Sequence, residues 1–236
     1  MLANQVGCGF APYRLSGTVY GVLLNHAPAL AALGDAVNAA PYKAAPKAPV
    51  LYVKPRNTLA LPGSSCELPA GVDALQIGAN LGMVIGRTAC RVSAQDAAAC
   101  VAGYVVVNDL SVPHESFYRP SVRLKALDGS CVIGPAVAKE RVRDPAAQEV
   151  RVFVDGALVQ RTDTADRLRS WAKLLAEVTD FMTLSPGDIL LLGTSHGAPS
   201  ARAGQRVAIE IEGVGRLEHT LVATGAAHDH PMEPHA

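Results

Sequence analysis

Apolar residues in this chain fall into short, strand-sized blocks separated by turn residues. Residues 18–24 (TVYGVLL), 50–53, 105–107 and 189–192 are apolar runs of the length that buried strands require. Residues 75–86 (LQIGANLGMVIG) read as a further strand, and their glycines predict a close approach of another backbone. Val150, Val152 and Val154 alternate with polar neighbours up to Asp155-Gly156, a two-residue turn signature, so residues 150–160 predict a hairpin. Residues 207–212 and 217–222 predict a second hairpin across Gly213-Val214-Gly215. Helical signals are fewer. Residues 27–40 are rich in Ala and Leu. Ser93 and Asp96 form a capping box, with Asp in place of the usual Glu or Gln, for a helix over 94–102 that stops at Gly103. Residues 166–184 place Trp171, Leu174, Leu175, Val178, Phe181 and Met182 on one side of a longer helix. The balance predicts a mixed α/β fold that is mainly β.

Without such periodicity, residues 1–16 read as an N-terminal extension and residues 223–236 as a flexible tail, leaving 17–222 as one folded domain. Polar groups gather where the strands end: Asn25-His26, Lys54, Asp109 and Thr194. Loops carrying such groups converge on one pocket in many folds. The densest cluster lies between 104 and 135, where His114, Glu115, Tyr118, Arg119, Arg123 and Lys125 follow the Asn108-Asp109 strand end and precede an Asp128-Gly129 turn. A substrate site and a solvated surface loop account for it equally well. Lys54, just past a strand, is either an anion-binding group or an ordinary solvated lysine. His26 titrates nearest neutral pH and is either an acid/base group or a hydrogen-bonding support for a loop.

Composition narrows the partners. Apolar residues make up 49% and charged residues 18% of 236, with zero formal net charge, which fits a protein with a sizeable core. There is no basic block for nucleic acid, no apolar run of membrane-spanning length and no signal-peptide pattern, so the expectation is a cytoplasmic protein with a small-molecule ligand. Its five cysteines are scattered, with no CxxC, and read as reduced thiols. Cys131 beside the Asp-Gly turn reads as a small buried thiol ahead of a nucleophile.

Four motifs then occur in order: Gly103-Tyr-Val-Val-Val-Asn108-Asp109-Leu-Ser111; Lys125 with Ile133-Gly134-Pro135; the Asp155-Gly156…Gln160 hairpin; and Leu184-Ser-Pro-Gly187-Asp188 running into Gly193-Thr194. Together they resemble the fumarylacetoacetate hydrolase family. The resemblance implies a β-sandwich roll, usually dimeric, acting on oxo acids. Leu24-Asn25-His26, Lys54-Pro55-Arg56-Asn57-Thr58 and Glu115-Ser116-Phe117-Tyr118-Arg119-Pro120 are similar to one branch, the isomerase/decarboxylases of 4-hydroxyphenylacetate (homoprotocatechuate) degradation. That branch implies decarboxylation of 5-oxopent-3-ene-1,2,5-tricarboxylate, isomerisation of 2-hydroxyhepta-2,4-dienedioate, or both.

The departures from the family matter as much. Its Glu-x-Glu metal ligands fall at Gly78 and Asn80, leaving Asp109, with the Asn80 carbonyl as companion, for a weak or absent Mg²⁺. Its His-x-x-Glu pair falls at Ala29 and Ala32, which weakens an acylpyruvate-type hydrolase reading. With the metal weak, Lys125, Arg119 and Arg123 are the candidates to stabilise a dienolate, and His26 or Glu115 to move the proton. Lys54, Tyr118, Arg119, Arg123 and Thr194 are the expected substrate-binding set. The competing expectation is a structural partner of a metal-holding sister subunit, in a heterodimer in place of a homodimer.

Overall fold

A computed structural model describes residues 17–40, 43–114 and 122–225, together with 6–7 and 14–15. Within the expected N-terminal extension, β1 (Val6–Gly7) and β2 (Arg14–Leu15) pair antiparallel. Two larger sheets carry the fold. The seven-stranded sheet runs β4 (Val50–Lys54), β3 (Val19–Leu23), β13 (Ile189–Leu191), β8 (Ala79–Ile85), β9 (Val101–Asp109), β10 (Cys131–Ala138), β5 (Leu59–Ala60). The five-stranded sheet runs β12 (Ala157–Asp163), β11 (Glu149–Val154), β15 (Arg206–Ile211), β16 (Gly215–Val222), β6 (Ser65–Glu67). A small pair, β7 (Leu75–Gln76) with β14 (Ser200–Ala201), sits beside them.

The interior strand β9 shows why its sequence is apolar without interruption. Tyr104 and Val106 point into the main core, which also takes Val152, Ile209 and Leu217 from the five-stranded sheet. Val105 and Val107 point the other way, into a second cluster with Val19, Val84, Ile133 and Ile189 from the same seven-stranded sheet. That sheet therefore curls around its own far face, and a strand buried on both faces loses the usual alternation. The mainly β, two-sheet architecture matches the fold expected from the sequence.

The predicted hairpins form with two-residue precision at Asp155-Gly156, where both residues adopt positive φ (51° and 83°) as a type I′ turn requires. Helices are shorter than the periodicity implied, and each shortening has a cause. In place of 27–40 there is α1 (Ala27–Ala31) followed by a 3₁₀ turn, Gly34–Asn38, entered through Gly34 at φ 49°. Ser93 and Asp96 do bond each other, at 2.7 and 3.2 Å, but α2 covers only Ala97–Cys100 because Val101 and Ala102 are drawn into β9. The helix expected over 166–184 is α4 (Trp171–Phe181), capped by Ser170 and burying Leu174, Leu175 and Val178. Its expected first turn instead pairs with residues 25–27, through Ala27 N–H to Asp166 O at 2.8 Å and Leu168 N–H to Asn25 O at 2.9 Å. Its expected last turn is lost to the Leu184–Ala89 bridge.

One polar contact crosses between the two sheets. Asn108 Nδ2 donates to His219 Nε2 at 2.7 Å, and both residues are fully buried. Burial brings the His219 pKa down to about 4. A histidine that is neutral when folded and takes a proton when unfolded contributes stability above pH 6.5 and loses it as pH falls toward 4. Parent protein should lose about 3 kcal/mol from this group across that window. Urea unfolding midpoints measured at intervals from pH 7 to 4 should show the loss in the parent and a flatter profile in His219→Gln.

Candidate active site

Two of the strand ends singled out by the sequence, at Asp109 and Thr194, meet at one cavity. It is lined by Leu23 at the end of β3 and Leu24 after it, Tyr52 of β4, Gly78 before β8, Asp109 at the end of β9 and Ser111 beyond it, His114, Lys125, and the 194–198 loop after β13. Lys125 closes α3 (Val122–Lys125). Leu24 at this rim holds a left-handed φ of 55°, strain that the surrounding packing imposes.

Asp109 is the hub. Its Oδ2 accepts from Lys125 Nζ at 3.0 Å and from the Tyr52 hydroxyl. Its Oδ1 lies 3.0 Å from Lys54 Nζ. That contact is an ion pair with no proton aimed along it, because the Lys54 ammonium points its donors at the Lys125 carbonyl, Ser130 Oγ at 3.0 Å and Leu110 O at 3.4 Å. Burial pushes the Asp109 pKa up, but the two ammoniums and the hydrogen bonds from Tyr52 and Lys125 outweigh it and hold the pKa down to about 2. Burial and then the Asp109 charge raise the Tyr52 phenol well above its ordinary value, so it stays a donor. The Lys125 ammonium also sits 4.5 Å over the Tyr52 ring. Gly21 makes room for that ring: a Cβ there would lie 2.0 Å from it.

Lys54 is thus neither a solvated lysine nor part of the cavity wall; it is buried behind Asp109. Arg123 is exposed on α3 and lies off the cavity. Thr194 lines it and accepts from Asn80 Nδ2 at 2.8 Å. His26 supports a loop: its Nδ1 accepts from the His196 N–H at 3.0 Å. Burial, then the Arg167 charge, lower its pKa. Glu115, Tyr118 and Arg119 lie outside the described residues. Cys131 is a buried thiol, its pKa pushed up to about 12 by burial. Tyr52 escaped the sequence reading. The available signal was its spacing of two from Lys54, which puts both side chains on one face of a strand.

The donor set does not fit a Mg²⁺ site. Asn80 Oδ1 accepts from Gly193 N–H at 2.7 Å and its Nδ2 donates to Gly78 O and Thr194, so the carbonyl expected to assist Asp109 is taken. Asp109 already faces two ammoniums, which would repel a dication. Gly78 cannot be restored to glutamate in this backbone, since a Cβ there would lie 2.1 Å from Asp109 O. Among the described residues no three His, Cys, Asp or Glu side chains come together as a metal cluster.

The fumarylacetoacetate (FAA) hydrolase C-terminal family model matches residues 18–222. The chain belongs to the FAA hydrolase family. It is 39% identical over 208 residues to the 4-hydroxyphenylacetate degradation bifunctional isomerase/decarboxylase of Escherichia coli, covering 88% of this chain and 48% of that protein. The chain thus spans about half the length of the curated relatives it matches first. The 5-carboxymethyl-2-hydroxymuconate delta-isomerase of Mycobacterium smegmatis superposes with a TM-score of 0.75 at 31% identity, over 91% of this chain and 82% of that one. Fumarylpyruvate hydrolase of Pseudomonas aeruginosa, crystallised with Mn²⁺ and pyruvate, shares the fold with a TM-score of 0.80 at 24% identity, over 94% and 97% of the two chains. No helix among the described residues is long and apolar enough to cross a membrane.

If Asp109 holds the two buried lysines, Asp109→Asn leaves both ammoniums without a counter-charge and should cost about 3 kcal/mol or more. Denaturant unfolding of the parent and the variant at pH 7 checks this; an unchanged midpoint would contradict the hub role.

Proposed function

We propose that this chain decarboxylates 5-oxopent-3-ene-1,2,5-tricarboxylate, isomerises 2-hydroxyhepta-2,4-dienedioate, or both, in 4-hydroxyphenylacetate catabolism. The observation that carries this reading is the Lys125 ammonium, held against Asp109 Oδ2 and over Tyr52 at the cavity wall. Relatives that act in this degradation and a delta-isomerase of similar fold support the substrate class.

Loss of CO₂ from the saturated carbon beside an alkene that is conjugated to an oxo group leaves a dienolate, whose charge must be met where it develops. Lys125 donates one proton to Asp109 and has others for a substrate oxygen. Asp109 keeps that ammonium oriented. With a pKa of about 2 it is too weak a base to take a carbon-bound proton itself. Lys54 fixes Asp109 from behind, so the geometry is set before substrate arrives. The proton returned to carbon comes from Lys125 or from His114, which also lines the cavity. His26 acts one step removed, by holding the 194–198 loop through His196.

A second reading is favoured by the closed metal position at Gly78 and Asn80: this chain completes the pocket of a metal-holding sister subunit. Turnover of the tricarboxylate by the chelator-stripped chain, followed by substrate absorbance and released CO₂, separates the two. The expected result is release without added metal and no gain on adding Mg²⁺. Silence in both conditions, relieved by a sister subunit, would establish the second reading. Lys125→Met should lower kcat by about 10²–10³-fold with circular dichroism unchanged, because Asp109 retains Lys54 and Tyr52.

A further inference from the structure

Arg167 is a half-buried cation that the reaction described above does not use. Its Nη2 donates to Ser195 Oγ at 3.2 Å, while Nε and Nη1 are buried and have no hydrogen-bond partner. No carboxylate among the described residues forms an ion pair with it; Asp163 and Asp166 act on it only at longer range. Burial brings its pKa down to about 10, against their upward pull. A guanidinium taken out of water without a counter-charge is strongly unfavourable unless something satisfies it.

Its position is built by the fold. Asn25, buried after β3, accepts from Arg169 N–H at 3.0 Å and donates to Arg169 O at 3.1 Å and Leu192 O at 2.9 Å. The His26–Arg167 bridge and the Ala27–Asp166 hydrogen bond then lay residue 167 alongside the strand end. The 195–197 loop is tied down around it by His26 and by Gln160 Nε2, which donates to His196 O at 3.2 Å. Ser195, the hydrogen-bond partner of the Arg167 side chain among the described residues, lines the cavity that also holds Lys125.

We propose that Arg167, acting with Ser195, is a carboxylate-binding subsite of this cavity, taking one carboxylate of a dicarboxylate ligand while Lys125 meets the reacting end. The subsite rests on the reading of the cavity as an oxo-acid site. An entering carboxylate accepts from the Ser195 hydroxyl, while the guanidinium behind it, with Nη2 3.2 Å from Ser195 Oγ and with Nε and Nη1 sealed from solvent, supplies the positive charge. In this role Arg167 binds and orients substrate and takes no part in proton transfer.

The test is heptanedioate, a saturated seven-carbon dicarboxylate, titrated calorimetrically into the full chain and its variants, with thermal melting of each protein alone and with the probe. The parent should bind and melt higher with the probe. Arg167→Met should bind at least tenfold more weakly, yet melt at or above the parent without ligand, because it removes an unpaired buried charge. Arg167→Lys, which keeps the charge and loses the guanidinium, should fall between them. Heptanedioate binding by Arg167→Met equal to the parent's would overturn the subsite alone. So would a lower melting temperature of Arg167→Met without ligand, which would mean that Arg167 has an internal partner. No binding to the parent, or binding indifferent to both Arg167→Met and Lys125→Met, would overturn the cavity reading along with the subsite.

Discussion

One ionised carboxylate, Asp109, organises this protein. It is buried at the end of an interior strand of the larger sheet, with an ammonium on each oxygen and a phenol donating to one of them. A charge so placed is tolerable only because partners from two separate elements meet it. Lys54 and Tyr52 come from the edge strand β4, Lys125 from α3, and the Lys125 and Leu110 carbonyls and Ser130 Oγ take the protons of Lys54. The register that lays Gly21 opposite Tyr52, and the bare backbone at Gly78, are conditions for this packing.

The same constraint accounts for how this chain departs from the Glu-x-Glu metal site that its sequence resemblance implies. Loss of the two glutamate positions did not leave a gap. Asn80 ties Gly193 and Thr194 to the strand, Asn108 Oδ1 accepts from the Gly78 N–H at 3.0 Å, and Gly78 lies against Asp109. Positive charge is present beside Asp109 all the same, supplied by side chains. An ammonium can stabilise a developing enolate oxygen, which is the part proposed here for Lys125.

The cavity then divides between two elements of support. Lys125, Asp109 and Tyr52 occupy the β9 and β4 side, while the 194–198 loop is held on the other side by His26, Gln160 and Arg167. Neutral His26 suits this role, since a protonated Nδ1 could not accept from the His196 N–H. Asn25 links the two sides by fastening the 166–169 segment to the end of β13.

Local sequence alone determined the strands, both hairpins and the polar strand ends, because period-two alternation and turn chemistry are properties of neighbouring residues. It also carried the motifs that place the chain in its family, and the missing Glu-x-Glu. Tertiary structure decided what each polar residue does. Lys54 reads the same in sequence whether it is solvated, on a substrate or buried against Asp109; only the pairing of β4 with β3 and the closure over Ser130 select the last. The 166–170 segment continues a helical pattern, yet long-range hydrogen bonds from residues 25–27 and the Asn25 side chain pull it out of the helix and bring Arg167 to Ser195. Those choices depend on partners from tens to more than a hundred residues away, and no local pattern encodes them.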